Sequence, residues 1–226
     1  MKITYLGHAS LYIETNNKNL LIDPYITENP LATKIKLDQL APDYILITHG
    51  HADHLLDAEK LAKANNSIII SNFEIVKWYE KKGISGFGMN HGGKAVFEFG
   101  TIKYVHAIHS SQLPDGSNGG NPGGFVIWND AGCVYIAGDT ALTEDMKLIP
   151  MTCPELSLAI LPIGDTFTMG YEDAVIASEF LKCPLIMGYH YDTFPPISID
   201  KDVAQKHFTN HDKELILLDI GETLEV

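Results

Sequence analysis

The chain has 226 residues, 45% of them hydrophobic, enough for one large core or two tightly fused halves, and it is read as a single domain over residues 1–226. Its formal net charge is −13, from 29 acidic residues against 16 basic ones, and every basic residue is lysine. Arginine is the usual fork for phosphates and guanine edges, so its absence argues against a nucleic-acid partner, although lysine still serves for a single phosphate.

Strand patterns occupy residues 2–6, 11–14, 19–23, 44–48 and 67–70. The first begins at Ile3 and Tyr5 with no basic stretch and apolar run before it, so no secretory signal is expected. Helical patterns follow at 55–65, where Leu55, Leu56, Glu59, Leu61 and Ala62 are spaced for one buried face, and at 72–82. A second series then starts, with strands at 95–99, 101–108, 125–129 and 133–137, a helix at 143–149, a strand at 156–161 and a helix at 171–181. That last helix opens on Gly170-Tyr171-Glu172-Asp173, acids in the first turn where the helix dipole favours them. A strand at 185–189, a helix at 200–209 and strands at 214–218 and 222–225 complete an α/β pattern whose two halves share a rough layout. No apolar run approaches the roughly 20 residues that span a bilayer.

The densest chemistry lies in Thr48-His49-Gly50-His51-Ala52-Asp53-His54, three imidazoles and a carboxylate directly after the apolar run Tyr44-Ile45-Leu46-Ile47. A turn at a strand end lets His49 and His51 face one cation while Asp53 and His54 face another, and this nitrogen and oxygen donor set suits zinc, manganese or iron. Polar turns are ordinarily built from Gly, Asn, Asp and Ser, so a chance cluster of His is a poor alternative. His109 ends the run from Ile102 to Ile108, Asp139 follows Val134-Tyr135-Ile136-Ala137-Gly138, and His190 follows Leu185-Ile186-Met187-Gly188-Tyr189. Each again stands where a strand gives way to a loop, the place from which side chains converge on a cleft.

With these residues in place the chain resembles the metallo-β-lactamase superfamily, whose pattern is an early Asp, the His-x-His-x-Asp-His turn, a later His, a bridging Asp and a last His. Asp23, in Leu20-Leu21-Ile22-Asp23-Pro24, stands for the early Asp, and the resemblance spans residues 2–218. Leu6-Gly7-His8-Ala9-Ser10, Gly138-Asp139-Thr140, Gly164-Asp165-Thr166 and His190-Tyr191-Asp192-Thr193-Phe194-Pro195 are similar to one branch of it. That branch holds bacterial and archaeal metal-dependent hydrolases related to ascorbate-phosphate lactonases and N-acylphosphatidylethanolamine phospholipases D. The resemblance implies a four-layer αββα sandwich with the ligand loops along one edge. It also implies two divalent ions, zinc foremost and manganese or iron next, with His49, His51 and His109 on the first, Asp53, His54 and His190 on the second, and Asp139 between them. Such ions, held about 3.5–4 Å apart, share a water and present hydroxide as nucleophile. Asp23 is expected to fix a ligand tautomer, with a plain Asp-Pro turn at a strand end as the other reading.

Asp53, Asp139 and His8 are the residues expected to carry catalysis, His8 by facing the substrate or protonating a leaving group. His106 precedes His109 by three positions, so on an ideal strand the two point to opposite faces, and His109 is preferred as ligand. His91 is read as a loop residue, His207 and His211 as solvated, and Asp165, Thr168, Tyr191 and Asp192 as pocket or turn residues. Residues 115–124, rich in Gly and Asn, read as a hairpin connection, with a mobile lip beside the cleft as the second reading. The expected reaction is hydrolysis of an ester or lactone bond in a small polar molecule. Phosphodiester hydrolysis is the runner-up, and a non-catalytic metal-binding protein the third reading. A β-lactamase role fits poorly without export, and oxygen-reducing di-iron chemistry fits poorly because His51 stands where such proteins carry a carboxylate. Cys133, Cys153 and Cys183 form no Cys-x-x-Cys pair and read as reduced thiols of a cytoplasmic protein. No membrane insertion is expected, and a homo-oligomer is left open.

Overall fold

A computed structural model describes residues 1–226. The N-terminal half forms β1 (Lys2–Gly7), β2 (Ser10–Thr15), β3 (Lys18–Ile22), β4 (Tyr44–Leu46), α1 (Ala52–Leu55), α2 (Ala58–Asn65), β5 (Ile68–Asn72), α3 (Phe73–Glu80) and β6 (Gly86–Met89). The second half forms β7 (Lys94–Phe97), β8 (Gly100–His106), β9 (Gly123–Asn129), β10 (Gly132–Ile136), α4 (Ile149–Thr152), β11 (Leu158–Pro162), α5 (Tyr171–Leu181), β12 (Leu185–Tyr189), α6 (Lys201–Thr209) and β13 (Glu214–Ile216). The closing strand, β14 (Thr223–Glu225), returns to the first half and pairs antiparallel with β1. The result is two seven-stranded sheets, ordered β14-β1-β2-β3-β4-β5-β6 and β13-β12-β11-β10-β9-β8-β7.

Side chains alternate across a strand, and in the central strands both faces are apolar because both are covered. On β10, Val134 and Ile136 point into a core shared with Ile3, Leu11, Leu20 and Leu46 of the other sheet, while Cys133 and Tyr135 point away from it. Those outward residues pack with Ala174 and Val175 of α5 and Ala204 and Phe208 of α6. On the first sheet Ile45 and Ile69 turn outward against Leu61 of α2 and Ile75, Val76 and Tyr79 of α3. Helix, sheet, sheet, helix is therefore the layer order, as the αββα expectation required.

Strand direction decides where the ligands emerge. β1 and β3 both run antiparallel to β2, and β3, β4 and β5 are mutually parallel, so β1, β3 and β4 all end at one edge. In the second sheet β8 and β10 both run antiparallel to β9, and β10, β11 and β12 are parallel, so they too end together. The two edges meet where the His190 amide donates to the His8 carbonyl (2.8 Å) and the Gly123 amide to the Thr48 carbonyl (3.1 Å).

Two expected elements differ in detail, and one strand was not expected. The helix read over 55–65 breaks into α1 and α2 at Leu56 and Asp57, because Asp57 accepts the amides of Ile26 (2.7 Å) and Thr27 (2.9 Å) and caps the approaching loop. The helix read over 143–149 is a 3₁₀ turn over Glu144–Leu148, and the α-helical turn begins only at Ile149, with Pro150 in its first turn where the missing amide is harmless. β6 was hidden because Gly86-Phe87-Gly88-Met89 has too much glycine for a strand pattern, yet it pairs parallel with β5. No helix is long and apolar enough to cross a membrane.

Candidate metal centre

The turn after β4 is fixed before any cation is considered. The buried Asp23 carboxylate accepts the Thr48 amide (2.8 Å) and hydroxyl (2.6 Å) and faces Nδ1 of His54 at 2.9 Å. The Gly50 amide donates to the Ser111 hydroxyl (3.0 Å), which itself donates to the Gly119 carbonyl (2.9 Å). Tyr104 donates its hydroxyl hydrogen toward the Thr48 carbonyl at 2.9 Å. Gly119 approaches so closely that a Cβ there would stand 2.5 Å from the Ser111 hydroxyl and 3.3 Å from the Gly50 Cα. Gly119 thus packs against the turn, while residues 115–118 and 121 of the glycine-rich stretch lie exposed beside it.

Two groups of potential ligand atoms result, each within 4.8 Å: His49, His51 and His109, and His8, Asp53, His54 and His190. A third, His49, His54 and Asp139, joins them. Asp139 stands between, with Oδ1 at 3.3 Å from His54 Nε2 and Oδ2 at 3.0 Å from His190 Nε2 and 3.6 Å from His109 Nε2. All seven residues expected as ligands meet at one edge, and His8 joins Asp53, His54 and His190 in the second group. The centre is open on one side, since His51, Asp53 and His109 are half-buried while His49, His54, Asp139 and His190 are buried.

The donors fit cations better than they fit one another. His54 Nε2, His190 Nε2 and Asp139 Oδ1 are buried with no hydrogen-bond partner despite lying so near each other, an arrangement costly unless a further group satisfies them. His54 donates Nδ1–H to Asp23, which leaves the Nε2 lone pair facing Asp139. His49 Nδ1 meets the Thr48 hydroxyl at 3.0 Å, whose hydrogen is already given to Asp23, so His49 too presents Nε2 as an acceptor, 2.9 Å from His51 Nδ1. His51 in turn meets the Ser110 hydroxyl through Nε2 at 3.2 Å. Imidazole and carboxylate with their outer atoms oriented by hydroxyls and a carboxylate are the ordinary surroundings of a transition metal.

Electrostatics point the same way. Burial, and then the neighbouring His54, hold His49 well below the usual histidine range and lower His51; burial also lowers His109 and takes His8 to about 4. Burial opposes charge on His54 as well, but Asp139 and Asp23 outweigh it and raise that imidazole well above 6.5. Burial likewise pushes Asp139 up, and His190 and His54 reverse this and keep it ionised. The pull that favours a proton on His54 also favours a cation at its Nε2.

A pH dependence follows for chelator-stripped protein. Histidines lowered by folding take up protons in the unfolded chain first, so their contribution is present above 6.5 and is lost as pH falls toward their folded values, about 4 for His8. His54 has the opposite sign, stabilising below 6.5 and losing that contribution as pH rises through its raised value. Stability of the stripped protein should therefore peak near 6.5 and fall on the acid side by more than ~1.4 kcal/mol per pH unit, the slope of a single proton. Metal loading should remove the alkaline limb, because a cation replaces the His54 proton. Urea midpoints across pH, with and without metal, check both limbs.

His8 lies inside this group rather than at its mouth, facing Asp53 through Nε2 at 3.1 Å. His106 is outside it, paired with Asp145 at 2.5 Å and edge-on to His91, and His207 on α6, its ring 4.6 Å from that of His211 just past the helix end, is also away. Asp165 and Thr168 belong to a tight turn closed by the bridge between Gly164 and Gly170. Asp192 accepts the Ile199 amide at 3.1 Å. The cysteines are all free thiols.

Two facing mixed sheets with a histidine and aspartate centre at one edge define a metal-dependent hydrolase of the metallo-β-lactamase fold. The model of the β-lactamase superfamily domain matches residues 2–190. A UPF0173 metal-dependent hydrolase of Flavobacterium johnsoniae is 56% identical over 226 residues, with all of both chains covered. Among solved structures, Igni18, a metallo hydrolase from the hyperthermophilic archaeon Ignicoccus hospitalis, matches with a TM-score of 0.89 at 34% identity, covering 100% of this chain and 97% of its own. An isothiocyanate hydrolase from Delia radicum gut bacteria is similar in fold, with a TM-score of 0.80 at 22% identity, over 100% of this chain and 99% of its own. The chain belongs to the β-lactamase superfamily and, within it, to the UPF0173 metal-dependent hydrolases.

Proposed function

We propose that the chain hydrolyses an ester, lactone or related acyl bond of a small polar molecule at a two-metal centre. The observation that carries this is Asp139 standing between His109 on one side and His54 and His190 on the other, with its Oδ1 and the Nε2 atoms of His54 and His190 buried and without hydrogen-bond partners. Zinc is the ion the donor set fits first, with manganese or iron compatible. When bound, two such ions lower the pKa of a water and polarise the carbonyl under attack. His49, His51 and His109 would hold one, Asp53, His54 and His190 the other, and Asp139 both. The chain's own part is orientation: Asp23 keeps the His54 proton on Nδ1, Thr48 does the same for His49, and the Ser111 and Gly119 contacts keep Gly50 from shifting. The free thiols fit a reducing cytoplasm.

Phosphodiester hydrolysis has one observation in its favour, a cavity of about 420 Å³ lined by Lys34, Lys201, Tyr5, Tyr191 and Asp192 beside the His190 loop. Lys201 is, however, already paired with Asp192 at 3.6 Å, and Asp219 lines the same space, so little positive field is left for a phosphate. The test is the initial rate of zinc- and manganese-loaded protein on a paired panel of lactones or esters and phosphodiesters, with an alkyl isothiocyanate added and Asp139→Ala as the blank. Acyl rates well above the blank support the proposal. Dominance by phosphodiesters overturns it in favour of the second reading, and absence of any rate above the blank overturns both.

A further inference from the structure

We propose that His8 is a positioning residue that holds the Asp53 carboxylate in the second half of the metal centre, and that Thr193 holds His8. The inference rests on the two-metal reading above. β1 delivers His8 to the ligand edge through Gly7 (φ 100°), and His8 itself has a φ of 56°, a left-handed conformation that non-glycine residues seldom adopt. Such a backbone persists only where its surroundings over-determine it. Here the His8 carbonyl accepts the His190 amide at 2.8 Å and the Tyr5 hydroxyl at 3.2 Å, which ties the turn to the last ligand loop.

The side chain has no exposed surface and no free nitrogen. Nε2 lies 3.1 Å from Asp53 Oδ2 and Nδ1 lies 2.9 Å from the Thr193 hydroxyl, while the ring packs 4.1 Å from His190 and edge-on to Phe194. A carboxylate only accepts, so for a neutral imidazole Nε2 carries the proton and Nδ1 accepts from Thr193. That enclosure excludes contact with a substrate, and the leaving-group role expected from the sequence gives way to orientation. Asp53 needs the help. Its side chain is 33% exposed and His8 is its sole side-chain hydrogen-bond partner, whereas His54 on the same short helix is already held by Asp23. Losing His8 should therefore free one ligand of the second ion and leave the first ion's ligands in place.

The experiment titrates Zn²⁺ into chelator-stripped protein against a competing chelator, resolving the first and second equivalents. His8→Ala should weaken the second equivalent by about 10–100-fold, the usual effect of removing a ligand's outer partner, with the first changed less than threefold. His8→Gln, whose amide still donates to Asp53, should recover most of that loss. Thr193→Val, which leaves the backbone turn and the His8 ring in place, should give a smaller loss in the same equivalent. The proposal is overturned if His8→Ala binds both equivalents like the parent, if the first weakens as much as the second, or if His8→Gln is no better than His8→Ala. A parent protein that takes up only one equivalent would overturn the two-metal reading itself, an outcome separate from normal two-ion binding that His8 does not affect.

Discussion

Asp139→Ala is expected to empty both halves of the metal centre and to lower hydrolysis by roughly 10³-fold or more, beyond the 10²–10³ typical for loss of one preorganised electrostatic contact. Asp139 is the one carboxylate within reach of His54, His109 and His190 together, so both ligand groups lose their shared anion. Two dications about 4 Å apart repel by roughly 17 kcal/mol at an effective dielectric of 20, and a bridging carboxylate is what makes their proximity tolerable. Asp139→Asn separates charge from packing. It keeps the volume of a residue only 3% exposed, so with both proteins chelator-stripped it should melt within a few degrees of the parent, while it still loses metal and rate. Metal content by mass spectrometry, alongside turnover on whichever substrate responds, is the check. Retention of both ions with more than a tenth of parental rate would sink the bridging role.

The candidate ligands were legible in the sequence because they obey local rules. The His49 to His54 turn is contiguous, and His109, Asp139 and His190 each follow an apolar run that ends at the same sheet edge. The αββα layering was legible only through resemblance, since strand runs alone do not say that β14 returns to β1 or that the sheets face each other. What escaped were relationships between distant residues. His8 was singled out, but its role depends on Asp53, 45 positions away, and Thr193, 185 positions away, and no local pattern records such pairs. The glycine-rich stretch was read from composition as turn or lip, because the close approach of Gly119 to Gly50 exists only once both loops are folded. Asp57 looked like an ordinary helical position until its carboxylate was drawn to the amides of Ile26 and Thr27.

The second large effect is expected at Asp23, where two substitutions should separate stability from metal binding. The carboxylate is wholly buried and is shared by the Thr48 amide, the Thr48 hydroxyl and His54 Nδ1. Asp23→Ala leaves those three donors without a partner in a site no water reaches, so the chelator-stripped protein should lose about 3–5 kcal/mol, the range for breaking a buried charge pair. Asp23→Asn keeps the shape and an oxygen for the Thr48 amide, but at the position of Oδ2, which takes both the Thr48 hydroxyl and His54, it presents an amide N–H₂. To accept from that group His54 must move its proton from Nδ1 to Nε2, the atom that faces Asp139 and would hold the ion. The outcome should be a modest change in melting temperature with metal affinity reduced about 10–100-fold, because the fold survives and the lone pair does not. Unfolding curves of stripped protein and competitive metal titrations of both variants decide the matter. If Asp23→Asn binds metal like the parent, the tautomer of His54 is set by something other than Asp23, and the orientation of the second ion's ligands must come from Asp139 and His190 instead.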